Sequence, residues 1–231
     1  MAVRSVRLGR ILVVEDEPEV RDILAYLFSN EGYQVVTAGT ATRAWEAVSE
    51  SRPDLVVLDV ELPDQSGLVF CRRAKQLGVP VIMVSSHDRD DEVVAGLETG
   101  ADDYVRKPFN NRELLLRVRR LMEQPSVAVG EERRVSVGDL VVDRESARVW
   151  RGAREIHLSP TEWNILDLLV SRRGRAQSVE DILEHVWHTT DWDGGAEMVK
   201  VNIRRLRRKI EQNPRQPEIV LNRWGRGYLI E

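Results

Sequence analysis

The chain has 231 residues, enough for two ordinary domains, and is 42% hydrophobic and 31% charged, a balance that suits packed cores under a polar surface. Its single cysteine, Cys71, excludes an intramolecular disulfide, and no apolar stretch approaches the roughly 20 residues needed to span a bilayer. The net charge of −4 argues against a protein that binds nucleic acid over its whole surface, but the charge is uneven: 16 Lys+Arg against 21 Asp+Glu through Pro125, then 18 against 17 from Ser126 onward. Met1 to Arg10 has no apolar h-region, so a cytoplasmic protein is expected.

Residues 10–123 alternate short apolar runs with helical patterns. Strands are predicted at Arg10–Val14, Gln34–Ala38, Leu55–Asp59, Val81–Ser85 and Asp103–Val105. Helices are predicted at Pro18–Asn30, Thr40–Glu50, Ser66–Leu77, Asp90–Thr99 and Asn111–Met122. Gly32, Gly78 and Gly100 fall where helices should stop. Five strand–helix repeats imply an open parallel sheet with right-handed crossovers. Residues 124–134, with Gln124-Pro125-Ser126, Gly130 and a charged patch, read as a linker.

The second half follows another pattern. Val135–Val142 and Ala147–Trp150 read as strands, and Arg151-Gly152 as a turn toward Glu155–Leu158. Ser159-Pro160-Thr161-Glu162 is a helix start, with Ser159 as N-cap, Pro160 at the first position and Glu162 three residues on. Helices follow at Pro160–Ser171, Val179–Val186 and Ala196–Glu211, then a hairpin of Glu218–Leu221 and Gly227–Ile230 around Trp224-Gly225-Arg226-Gly227. Short strands, three helices and a terminal hairpin describe a winged helix-turn-helix.

Three apolar runs of the first half end in charge: Ile11–Val14 at Glu15-Asp16, Leu55–Leu58 at Asp59, and Tyr104-Val105 at Arg106-Lys107-Pro108. Such runs are strands buried on both faces, and ligands of a parallel sheet bind beyond the carboxyl ends of its strands. Three carboxylates and one ammonium therefore gather in one crevice. Crowded carboxylates repel, so the arrangement calls for a cation, and a hard divalent ion takes oxygen ligands.

Val13 to Glu17, Leu58-Asp59-Val60-Glu61-Leu62-Pro63 with Gly67, Val84-Ser85, and Gly100 to Tyr104 leading into Lys107-Pro108-Phe109 resemble the receiver domain of bacterial response regulators. The resemblance implies a flavodoxin-like (βα)5 fold over residues 8–123, with Asp59 as phosphoacceptor. It implies Mg²⁺ (or Mn²⁺) held by Glu15, Asp16, Asp59 and the backbone carbonyl of Glu61, and Lys107 paired with a phosphoryl oxygen before a cis proline. A carboxylate can attack phosphorus to form an aspartyl phosphate, and charge compensation is then the main catalytic task. Glu17 is read as a helix-start carboxylate rather than a ligand. Ser85 and Tyr104 occupy the family's switch positions, Ser85 standing where threonine is commoner. The family's output face, built on the predicted helix Asp90–Thr99, strand Asp103–Val105 and helix Asn111–Met122, is matched by Glu98, Asp102, Asp103, Glu113, Arg117 and Arg119. Acidic and basic residues on one face can pair across a two-fold axis. Val93 replaces a usual basic residue there and leaves Glu113 without its expected partner.

From Glu197 to Glu211 an apolar seam of Val199, Ile203, Leu206 and Ile210 leaves Lys200, Arg204, Arg205, Arg207, Arg208 and Lys209 on the remaining face, with little acid beside them. Such a cluster would be relieved by phosphates. The seam places Val201, Asn202, Arg205 and Lys209 opposite or beside it, facing out. Leu158 to Glu162, Val199 to Lys209 and Gly225-Arg226-Gly227-Tyr228 resemble the DNA-binding domain of the OmpR/PhoB subfamily over residues 135–231. The resemblance implies an α+β winged helix that binds double-stranded DNA, in this family as direct repeats. Arg205 would then lie on bases or nearby phosphates, Lys200, Arg204 and Arg208 on phosphates, and Lys209 within the same surface. Trp224 stands where many members have arginine, so Arg223 or Arg226 would supply the wing's cation.

The expected protein is thus a phosphoacceptor transcription factor rather than an enzyme, with a sensor histidine kinase, DNA, a second copy of itself and RNA polymerase as partners, and no membrane. Two rivals stand against it. An Asp-nucleophile phosphatase or dehalogenase needs a second aspartate two residues after the nucleophile, where this chain has Glu61. A phosphorylation-independent DNA-binding regulator would have no need of the complete acidic site.

Overall fold

The structure, a computed structural model, describes residues 9–86, 96–123, 132–189 and 194–231. The chain divides into two compact units, Met1–Met122 and Glu123–Glu231. Residues 124–131 of the linker expected over 124–134, and most of the helix expected over Asp90–Thr99 with Val93, lie outside the described residues, and the last linker residue, Arg134, is the first of a strand.

In the first unit β1 (Arg10–Val14), β2 (Gln34–Ala38), β3 (Leu55–Asp59), β4 (Val81–Ser85) and β5 (Asp103–Arg106) form one parallel sheet of order β2-β1-β3-β4-β5. Every residue of β3 and β4 is buried, as uninterrupted apolar runs require. Around the sheet lie α1 (Pro18–Asn30), α2 (Ala41–Ser51), α3 (Gly67–Gln76) and α4 (Asn111–Met122). Local chemistry sets the helix starts. Pro18 opens α1, the Thr40 hydroxyl accepts the Arg43 amide of α2, and the Ser66 hydroxyl accepts the Leu68 amide of α3. Leu24 and Phe28, four residues apart on α1, join Leu114, Val118 and Leu121 of α4 in the core beside Ile11, Val13, Leu55 and Val57.

The strand order reverses between β1 and β3, which opens a crevice at their carboxyl ends. Register fills it. Val14 pairs with Leu58, Asp59 with Val84, and Ser85 with Arg106, so Glu15, Asp59, Ser85 and Lys107 emerge at one edge. Gly67 lets α3 start directly against that edge, because a Cβ there would lie 2.3 Å from the Asp59 carbonyl oxygen.

In the second unit β6 (Arg134–Val137), β7 (Leu140–Asp143), β8 (Arg148–Arg151) and β9 (Arg154–Ile156) form an antiparallel meander. The single strand expected over Val135–Val142 is therefore two strands folded at Gly138-Asp139, with Gly138 in the left-handed region (φ +59°). Valine on both sides of the turn conceals the hairpin in the sequence. Next come α5 (Pro160–Ser171), α6 (Val179–Trp187) and α7 (Gly195–Ile210), with α7 packed against both α5 and α6. The Ser159–Glu162 capping box forms as expected, and Ser178 with Asp181 forms a second one on α6. The terminal hairpin pairs β10 (Leu221–Arg223) with β11 (Gly227–Leu229), so its first strand begins later than the expected Glu218–Leu221. The backbone amides of residues 218–220 are held instead by the Glu211 carboxylate.

Candidate functional site

Lys107 ties the first site together. Its Nζ lies 2.5 Å from Asp59 Oδ2 and 3.0 Å from Glu15 Oε1, although 48 and 92 residues separate it from these partners. Glu15 is 1% exposed and Asp59 6%. Burial pushes the Glu15 carboxyl up to about 7; the hydrogen bond from Lys107 opposes that rise and the Asp59 charge adds to it. Burial works to lower the Lys107 ammonium, but its hydrogen bonds to Asp59 and Glu15 prevail and hold it above its ordinary value. The Lys107-Pro108 peptide is cis, as the family resemblance implied.

The donor set fits a hard divalent cation. Carboxylate oxygens of Glu15, Asp16 and Asp59 lie within 4.8 Å of one another. Glu15 Oε2 is buried, 2.9 Å from Lys107 Nζ, yet makes no hydrogen bond, so one carboxylate oxygen still faces a place for a cation. Asp16 is exposed at the crevice mouth. The Glu61 amide donates to Asp59 Oδ1 at 2.8 Å, which folds the following loop back over the Asp59 carboxylate. Ser85 is fully buried at the end of β4, and its carbonyl accepts the Lys107 amide at 2.7 Å. Tyr104 is buried with its ring beside Gly96.

Two residues of this site are not singled out by the sequence. Arg21 on α1 donates to the carbonyls of Glu15 (2.7 Å) and Asp16 (3.0 Å), fixing the turn that carries both carboxylates. Asp64 accepts from the Ala41 and Thr42 amides (2.9 Å each) and the Thr42 hydroxyl (2.7 Å), pinning the loop after β3 to the start of α2. These bonds, first from the Thr42 backbone, hold the Asp64 carboxyl down at about 2. The only sequence cue is a basic residue one turn into a helix and an acidic residue near the N-terminus of another.

On α7 the outward face is narrower than expected. Val201 and Asn202 are buried, which corrects their outward assignment: α7 meets helices on two sides, so its apolar stripe widens beyond one seam. Asn202 satisfies itself by donating to the Met198 carbonyl at 2.9 Å. Arg204 and Arg208 are exposed, and Arg205 is half-buried. Arg205 reaches the Asn202 side-chain oxygen at 3.5 Å, and further cations are held inside the domain, one of them by an acid from another helix. Lys200 pairs with Glu197 at 2.5 Å, Lys209 with the capping residue Glu162 at 2.5 Å, and Arg207 donates to the Val220 carbonyl at 2.7 Å. In the wing Arg223 pairs with Glu231, while Trp224 and Arg226 stand exposed.

Residues 11–119 match the family described as response regulator receiver domain, and residues 153–230 match that described as transcriptional regulatory protein, C terminal. The response regulator DrrB of Thermotoga maritima, an OmpR/PhoB homolog, is 33% identical over 96% of this chain and 98% of its own, with a TM-score of 0.50. A mutant of RitR is 23% identical with a TM-score of 0.68, over 96% of this chain and 98% of its own, and shares the fold. The chain belongs to the OmpR/PhoB response regulators.

It is a two-component response regulator that acts in transcription, and no helix of its described residues is long and apolar enough to cross a membrane. The regulator's charged receiver face is largely paired within its own chain. Arg117 is buried, donates to both carboxylate oxygens of Asp103 (2.9 and 3.1 Å) and reaches Glu113 at 2.6 Å. Glu113 therefore has a partner four residues along its own helix. Burial opposes the Arg117 charge, and Asp103 and Glu113 more than compensate. Asp102 is buried too, bonded to Lys75 at 2.6 Å and to the Val81 amide at 2.8 Å. Arg119 pairs with Glu31 of α1, and Glu98 is exposed.

Proposed function

We propose that this regulator is phosphorylated on Asp59 by a sensor histidine kinase, dimerises through its receiver domain and binds double-stranded DNA through α7 and the wing. The observation that carries the reading is the Lys107 ammonium held between Asp59 and Glu15 in an acidic crevice. An Asp59 carboxylate oxygen attacks the phosphorus of a phosphohistidine. The O–P bond forms as the N–P bond breaks, and the imidazole nitrogen leaves with the electron pair and takes up a proton. Glu15, Asp16, Asp59 and the Glu61 carbonyl would hold Mg²⁺ or Mn²⁺, which would neutralise charge on the nucleophile and the phosphoryl oxygens. Lys107 transfers its hydrogen bond from Asp59 Oδ2 to a phosphoryl oxygen, Ser85 donates a second, and Tyr104 reads the change on β5.

Glu98, Glu113 and Arg119 pair across the two-fold axis, braced by the buried Asp102, Asp103 and Arg117. Lys200, Arg204, Arg205 and Arg208, with Arg223 and Arg226 of the wing, contact DNA, bound as direct repeats. Lys209, tied to Glu162, joins them only at the edge of the surface. RNA polymerase is the downstream partner, and the protein works in the cytoplasm. The test is light scattering and DNA binding of the full-length protein with Mg²⁺ and a phosphate mimic. Wild type passes from monomer to dimer and binds DNA more tightly; an Asp59→Asn variant that did the same would overturn the mechanism.

A further inference from the structure

Trp224 is 97% exposed, whereas every other described tryptophan is buried or half-buried. Tryptophan is highly buried on average, because its ring offers so much apolar area. A lone exposed ring on a mobile tip would mean little, but this tip is braced. Arg226 N donates to Arg223 O at 2.8 Å, closing a turn in which Gly225 has φ +69°. Behind the turn, Tyr228 and Gln177 exchange backbone hydrogen bonds of 2.7 and 2.9 Å. Gly227, at φ +105°, sits so close to them that a Cβ would lie 1.8 Å from the Gln177 carbonyl oxygen. The segment leading into the hairpin is locked to α7: Arg207 donates to the Val220 carbonyl and lies over the Tyr228 ring at 5.7 Å, and Glu211 accepts the amides of residues 218–220.

The surroundings say what covers the ring. Arg223 and Arg226 flank Trp224 in the chain, and with Arg173 they line a cleft of about 490 Å³ that Glu231, the partner of Arg223, lines as well, so that three guanidinium groups face one carboxylate there. Guanidinium groups around an aromatic wedge fit an anionic chain with apolar faces between its charges, which is the alternation of phosphate and deoxyribose along a DNA strand. An acidic protein surface would satisfy the arginines but gives no reason for a bare ring between them.

We infer that Trp224 is itself a DNA contact, packing its ring on deoxyribose while Arg226 and Arg223 take the adjacent phosphates. The inference rests on the DNA-binding reading above. It gives the wing an apolar, salt-independent share of affinity where a cation alone would give a salt-dependent one.

The experiment measures binding of full-length protein, with Mg²⁺ and phosphate mimic, to a duplex selected by that protein from a random pool, over a range of salt. Trp224→Ala is expected to weaken binding about tenfold with the salt slope unchanged. Arg226→Ala is expected to weaken it and to flatten the slope by about 0.9. The fluorescence lost on DNA binding should be larger in wild type than in Trp224→Phe, whose remaining tryptophans are the same. Wild-type affinity in Trp224→Ala, or a changed slope, overturns the inference and leaves DNA binding standing. A wild-type protein that selects no duplex overturns both.

Discussion

Replacing Lys107 with methionine keeps an unbranched side chain, one atom shorter, and removes its charge. In the metal-free protein this leaves the Glu15 and Asp59 carboxylates, 1% and 6% exposed, facing each other without the ammonium that lies 3.0 Å from one and 2.5 Å from the other. Breaking a buried pair by removing one partner costs about 3–5 kcal/mol. Part of that is relieved when Glu15, already raised to about 7, takes up a proton. A net loss of about 2 kcal/mol follows, which lowers the receiver transition by roughly 5–10 °C for a domain of this size. Mg²⁺ should then compete with a proton instead of an ammonium. Above pH 8 the variant should be half-stabilised at a lower Mg²⁺ concentration than wild type, and its melting temperature should rise further on saturation. Scanning calorimetry of the full-length protein with a Mg²⁺ series reads both effects. An unchanged metal-free transition, or a smaller Mg²⁺-dependent rise than in wild type, would refute the role assigned to Lys107.

Three further outcomes follow from the same geometry. The raised Glu15 carboxyl contributes stability to the metal-free protein that is present below its ordinary value of 4.5 and lost as pH rises through about 7, on the order of 3 kcal/mol in all. Mg²⁺ needs the ionised form, so its affinity should climb about tenfold per pH unit toward 7 and then level off, and Glu15→Gln should flatten the profile; a flat wild-type profile contradicts this. Glu211 is buried and accepts three successive backbone amides, so Glu211→Ala should lower the stability of the C-terminal unit by about 2–4 kcal/mol. Calorimetry decides it, and an unshifted transition would show that water replaces the carboxylate. Lys200→Ala and Arg208→Ala should each weaken DNA binding to a similar degree on every sequence and flatten the salt slope by about 0.9; an unchanged slope places them off the phosphates.

The receiver was legible because its chemistry sits at strand ends. A run such as Leu55–Leu58 reads as a buried strand, and in a parallel sheet the residue that follows it, Asp59, lies at the crevice. The residues that aim the site were not legible. Arg21 and Asp64 act through backbone groups of other segments, and nothing in their own surroundings marks a partner 23 residues away or a carbonyl five residues back. On α7 the periodicity located the inner seam but not its width, because a second packed helix buries Val201 and Asn202 in addition to the seam. Lys209 reads in sequence as one more cation of the DNA surface, since Glu162, its partner, lies 47 residues earlier at the cap of another helix. Charge on the receiver face looked available for a partner and proved mostly spent within the chain, as at Arg117 and Asp103.

The central claim is that charge arriving on Asp59 controls assembly and DNA binding. Light scattering on the full-length protein with Mg²⁺, before and after addition of a phosphate mimic, compares wild type with Asp59→Asn. The account predicts that wild type doubles its mass while Asp59→Asn stays monomeric at the same concentration. Equal dimerisation of both proteins, or of neither, would contradict it.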